Sequence, residues 1–132
     1  MSEILEPGMV YRHRKGNIYI VIGMAMYSVK YKESTERFVL YTDDLMPIVH
    51  SLAMCFPFIV KHSESEELLV AYRERGNDSW LLIPSVIEGK SLGYVREITN
   101  FKELVEVEGN FINKFELVAE KIKDFITDRA NL

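Results

Sequence analysis

The stretch ESTERFVLY, Glu33 to Tyr41, returns without a gap as ESEELLVAY, Glu64 to Tyr72, with five of nine positions identical. In each copy a polar Glu-Ser pair leads into an apolar run. Val39 and Tyr41, like Val70 and Tyr72, stand two residues apart and so share one face of an extended strand. Turn-forming residues follow in both copies, TDD in the first and RERGND in the second, and then a second apolar run, LMPIVH or SWLLIP. The pattern predicts a strand-turn-strand unit twice, over residues 33–54 and 64–87. Duplication of one unit and convergence of two similar hairpins both account for it. Two such hairpins bury one face and limit their open edges by curling into a small antiparallel barrel or curled sheet.

The flanking segments extend this β-rich body over residues 9–98. MVYRHR, KGN and IYIVIGMAMY read as strand, tight turn and strand, because Gly16 and Asn17 tolerate positive φ at a hairpin. SLGYVREI reads as a last long strand, and NFKELVEVEG is ambiguous between strand and helix. From Asn110, a suitable N-cap, a C-terminal helix is predicted over residues 110–128. Phe115, Val118, Ile122, Phe125 and Ile126 form its apolar stripe, and Glu120, Lys121, Lys123 and Asp124 its polar side. The stripe is expected to dock on the open end or face of the sheet, with a partner or a second copy as the rival. The expected class is therefore mainly β, α+β in detail, as one domain spanning residues 1–132.

At 132 residues, 48% apolar and 27% charged, the composition is that of one soluble globular domain able to bury a core without disulfides or a structural metal. The single Cys55, inside LAMCFPFIV, allows no intrachain disulfide and reads as a small core residue; a reducing, cytoplasmic setting is expected. IYIVIGMAMY is too short to span a bilayer, and Glu3, Glu6 and Pro7 ahead of it make a poor export leader, so no membrane role is expected. A formal charge of −4 repels nucleic acid as a whole, leaving YRHRK as the one basic concentration.

YRHRK is also the best binding candidate. In an extended strand Tyr11, His13 and Lys15 share one face and Arg12 and Arg14 the other, so that one face mixes aromatic and basic groups. Such a face suits phosphate, a nucleotide or an acidic partner, since the cation neutralises charge while the ring stacks. The competing reading is an edge strand protected by positive charge. His62, Tyr72, Arg73 and Trp80, from the second repeat and its approaches, complete the candidate ligand-binding set, with Trp80 read alternatively as a core anchor. There is no H-E-x-x-H, no second Cys and no G-x-S-x-G, so no catalytic residue, metal ligand or cofactor is assigned. His62 and Ser63 are neighbours on a strand and point to opposite faces, which disfavours a base-nucleophile pair. The carboxylates of SESEE and ESTE lack the Gly or Asn that turns such groups inward around a cation, and both read as solvated loops.

YRHRKGNIYIVIG, Tyr11 to Gly23, resembles the opening of the domain of unknown function 1653 family, small bacterial and phage domains that begin Tyr-Arg-His-x-Lys-Gly and continue Tyr-x-Val-x-Gly. HSESEELLVAY is similar to the family's next segment at His62, Ser63, Glu64, Glu67, Val70 and Tyr72, SWLLIP supplies Trp80 and Pro84, and FKELVEVEGNFINKFELV resembles the closing segment. The family passes almost directly from its Gly to its His-Ser-Glu. Here the first copy of the repeat intervenes, as though a central hairpin had been duplicated and inserted. The usual Trp-x-x-Pro is one residue longer here, and Ile83 stands where an Arg commonly precedes the Pro. The resemblance implies an SH3-like barrel and no defined activity.

Together these readings favour a non-catalytic binding module for a small anionic ligand, phosphorylated or nucleotide-like, or for a protein partner. A phage host-directed inhibitor or ligand-sequestering protein is one form of it, by family association. The alternatives are a small hydrolase or nucleotide-processing enzyme using His62 or His13, and a structural subunit that forms homo-oligomers through the C-terminal helix.

Overall fold

The computed structural model describes residues 5–43, 57–74, 76, 79–122 and 124. Cys55 and the second half of the first repeat lie outside the described residues. VYRH forms β1 (Val10–His13), and KGN turns the chain into the ten-residue β2 (Ile18–Tyr27). Gly16 takes φ 105° in that turn, and the His13 and Gly16 amides close it onto the Asn17 and His13 carbonyls at 2.8 and 2.7 Å. Five further strands follow: β3 (Phe38–Thr42), β4 (Phe58–His62), β5 (Leu68–Tyr72), β6 (Trp80–Pro84) and β7 (Gly93–Glu97). The short helix α1 (Ile98–Phe101) leads to β8 (Leu104–Val107), β9 (Asn110–Asn113) and β10 (Phe115–Ala119).

Six of the strands close a barrel in the order β2-β3-β7-β4-β5-β6, with β6 returning to β2 through Ala25↔Trp80, Met26↔Leu81 and Tyr27↔Leu82. Closure removes the open edges an isolated sheet would expose. The barrel is not all antiparallel as expected: β2–β6 and β4–β7 run parallel. Parallel neighbours need a long crossover, and here the intervening strands themselves supply it, β5 and β6 lying between β4 and β7 in the chain.

Alternation sends Ile20, Ile22, Phe38, Leu40, Val60, Leu69, Ala71, Trp80, Leu82 and Val95 inward, where all are buried. On β2 the inward set passes from Ile20 and Ile22 to Ala25, a change of parity explained by a bulge between Val21 and Gly23 opposite β3. Gly23 lies against the edge of the Trp80 ring. A Cβ there would stand 3.2 Å from Cδ1 and Nε1 of the indole.

A second, outer core forms where β1 and β10 extend the sheet beyond the first half of β2. Leu5, Val21, Val39, Tyr41, Phe101 and Phe115 are buried there, with Tyr11, Tyr19 and Tyr94 packed around them. The segment 110–119 is thus strand where a helix was expected. FELVA satisfies a two-residue period as well as a helical one, and pairing with β1 from Val10↔Ala119 to His13↔Phe115 supplies its backbone with partners that an isolated helix of this length cannot match. Ile122 and Asp124 carry helical backbone, and Ile122 packs against the barrel core; Phe125 and Ile126 lie outside the described residues. Among the described residues no helix is long and apolar enough to cross a membrane.

Each copy of the repeat contributes a strand, β3 and β5. In the second, β5 and β6 pair antiparallel from Leu69↔Pro84 to Tyr72↔Leu81, a hairpin. In the first, β3 has β2 on one edge and β7 on the other, and the segment that follows it lies outside the described residues. The similarity of the two copies is one of strand and facing. Val39 and Tyr41 point out of the barrel, as do Val70 and Tyr72; the outer core covers the first pair and leaves the second half-buried.

Candidate functional site

Tyr11 and His13 occupy the face of β1 that meets the outer core. The Tyr11 ring packs edge-on against Phe101 with centroids 5.0 Å apart, and the His13 ring against Phe115 at 4.9 Å. Burial raises the Tyr11 phenol above its usual pKa. His13 is lowered, first by loss of water around the ring and then by the charges of Arg96, Arg14, Lys15 and Lys114. Its Nδ1 accepts the Lys15 amide at 3.1 Å, which fixes the ring at the turn. The rings and the cations of YRHRK therefore divide: the rings pack inward, and Arg12 turns out on the opposite face.

At the end of β1 lies a groove of about 480 Å³, lined by Arg12, His13, Arg14, Leu104, Phe111, Ile112, Asn113 and Glu116. One wall is the end of β1, where the ladder with β10 runs on by one bond, Arg14 N–H to the Lys114 carbonyl at 2.9 Å. The other wall is the β8–β9 hairpin. Its Val107↔Asn110 pair leaves a two-residue loop, Glu108 at φ 52° and Gly109 at φ 82°, two left-handed residues of the kind that match the twist of a tight hairpin. Leu104 and Phe111 stand on this wall with 54% and 70% of their surface in solvent. Among the described residues Glu116 is the one carboxylate lining the groove, 4.0 Å from Arg12 with both side chains at least half exposed.

Of the expected residues, the groove gathers Arg12 and His13. Lys15 sits in the adjoining turn and Tyr11 behind the wall. Arg14 takes the place expected for Lys15, and the aromatic group facing the cations is Phe111. The ambiguity of NFKELVEVEG hid the hairpin; its readable signal was Glu108-Gly109 between two short apolar runs.

The second-repeat candidates lie elsewhere. Trp80 is 1% exposed inside the barrel, edge-on to Phe58 at 5.4 Å, with the Arg73 guanidinium 5.1 Å from its ring centre. Tyr72 is half-buried on the outer face of β5. His62 is 8% exposed and has both ring nitrogens engaged. Nδ1 accepts the amides of Glu64 and Ser65 at 3.2 and 3.1 Å, which places the ring proton on Nε2, 2.7 Å from Glu97 Oε1. Ser63 points the other way, 2.5 Å from the Tyr41 hydroxyl, which accepts from Arg96 Nε at 3.2 Å. Burial raises the Tyr41 phenol, opposed by Ser63 and Arg96. Arg96 continues to Asn100 Oδ1 at 2.8 Å, which also receives Lys114 Nζ at 3.3 Å, so one polar chain ties β3, β4, β7, α1 and the approach to β10. Among the described residues no group of three or more His, Cys, Asp or Glu stands where it could hold a metal ion.

Compared with known proteins, the chain matches no family model, no curated protein and no solved structure.

Proposed function

We propose that the protein is a non-catalytic binding module that takes an anionic ligand, a phosphorylated or nucleotide-like compound or an acidic partner segment, in the groove between β1 and the β8–β9 hairpin. The observation that carries this reading is the groove's lining: Arg12 and Arg14 come from β1 and the turn after it, and Leu104, Phe111 and Ile112 from the β8–β9 hairpin. An anion with an apolar or aromatic body meets both needs at once, charge neutralisation at the guanidinium groups and burial of otherwise exposed apolar surface. The volume is within the usual range for small-ligand sites, about 300–1,000 Å³.

The two alternatives have less support. His62 and Ser63 are turned to separate partners and share no proton, and His13 Nδ1 is occupied by a backbone amide. The oligomerising C-terminal helix is displaced by strand over residues 110–119. The domain of unknown function 1653 resemblance, with its SH3-like barrel, belongs to the same proposal, since its densest segment, YRHRKG, forms the basic wall.

Thermal-shift screening against anionic compounds, including nucleotides and aromatic phosphates, with native mass spectrometry of the purified protein, tests the reading. Ligands that raise Tm for the wild type and not for an Arg12→Ala/Arg14→Ala variant are expected. Stabilisation that survives the double substitution would place the site elsewhere.

A further inference from the structure

We infer that the groove's occupant is an extended acidic segment of a partner protein whose acidic and apolar residues alternate; this rests on the anion-binding reading above. The two walls differ in kind, and a β-strand laid between them sends successive side chains to opposite sides. A segment alternating Glu or Asp with Leu or Phe therefore delivers every acid to the arginine wall and every apolar group to the hairpin wall. Neither a uniformly acidic segment nor a uniformly apolar one satisfies both.

The two cations suit the same occupant. Arg12 lies on β1 and Arg14 in the turn that directly follows it, and both line the groove. Acids at positions i and i+2 of an extended segment lie on one side of it, so a single segment offers a carboxylate to each guanidinium group. Phe111 and Leu104, on the facing wall, are more than half exposed and are reached by the intervening apolar side chains. The segment's acids compete with Glu116 for Arg12. That contact is long at 4.0 Å and exposed on both sides, so it is readily given up.

The test uses the full chain and a capped hexapeptide of sequence ELEFEL, with EEELLF, of identical composition but without alternation, and KLKFKL as controls, followed by titration calorimetry or fluorescence anisotropy. ELEFEL is expected to bind at least about tenfold more tightly than either control and to weaken as salt is raised. Arg12→Ala/Arg14→Ala and, separately, Phe111→Ser are each expected to weaken it at least about tenfold. Glu116→Gln is expected to tighten it. Equal binding of ELEFEL and EEELLF overturns the inference. Binding of nucleotides or aromatic phosphates that depends on the two arginines, with no binding of ELEFEL, overturns the inference and leaves the anion-binding reading standing. Failure of every anionic probe overturns both. A concentration-dependent dimer that protects Phe111 assigns the groove to a second copy and overturns the peptide.

Discussion

The rings of Phe101 and Phe115 lie face to face, 8° from parallel with centroids 4.2 Å apart. One ring ends α1 and the other begins β10, and Tyr11, Tyr41 and Arg96 close around the pair. This stack fastens the outermost strand, and with it one rim of the groove, to the barrel.

Phe101→Ala is therefore expected to remove about 3–5 kcal/mol of stability, the usual range for a buried Phe. Amide exchange in residues 115–119 should accelerate more than exchange in β4 and β5. Denaturant titration combined with hydrogen exchange checks both. A loss below about 1 kcal/mol, or a uniform acceleration across the barrel, would show that β10 is held by its backbone ladder alone.

His62 makes a different kind of contribution. Its ring accepts two amides and binds Glu97, so replacing it by Ala strands a largely buried carboxylate and two backbone donors in the turn before β5. A loss of roughly 1–3 kcal/mol is expected. His62→Gln, which offers an acceptor and a donor on one side chain, is expected to lose less. In the wild type, nitrogen-detected NMR should find the Nε2–H tautomer. An Nδ1–H tautomer would refute the assignment.

Strand positions were legible where alternation and turn residues coincide. IYIVIGMAMY, ERFVLY, ELLVAY and SWLLIP all contain strands, and KGN turns as its Gly and Asn suggest. Pairing was legible for the local hairpins β1–β2 and β5–β6 and not for strands distant in the chain. Nothing local in FVLY says that β2 and β7 take both its edges, because that outcome depends on residues distant in the chain. The same holds for FELVA, whose spacing fits two periods until β1 is available to pair with it. Half of the groove was readable as YRHRK. The other half came from a hairpin whose turn carries Glu108 in a left-handed conformation, an unusual choice that weakens the sequence signal.

Gly23 tests whether the barrel interior has room to spare. An added methyl meets the Trp80 ring at 3.2 Å, and the indole is enclosed by Phe58 and the strand walls. Gly23→Ala should cost about 1–3 kcal/mol as an overpacking change. Because Trp80 is the only tryptophan, its emission reports directly on the site. The variant is expected to show a red-shifted or broadened spectrum before global unfolding. A wild-type spectrum and Tm would mean that the bulge in β2 relaxes to make space.

The pH dependence of stability should carry the mark of His13. Its folded pKa lies below the ordinary value of 6.5, first because burial removes water from the ring and then because Arg96, Arg14, Lys15 and Lys114 oppose a further positive charge. The unfolded chain, without these neighbours, takes up a proton near 6.5. Between that value and the lower folded one, the unfolded state holds more protons, so stability rises with pH across the window. Above 6.5 both states are neutral and the stabilisation is complete; as pH falls from 6.5 through the folded value it is lost, and below that value the loss levels off. The difference between wild type and His13→Asn isolates the contribution of this ring. Asn retains an acceptor for the Lys15 amide while removing the titrating ring. The variant's stability is expected to fall less than the wild type's between pH 7 and pH 5, measured by urea denaturation at fixed ionic strength. An identical or steeper fall would show that neither burial nor the surrounding cations lower the His13 pKa in the folded state.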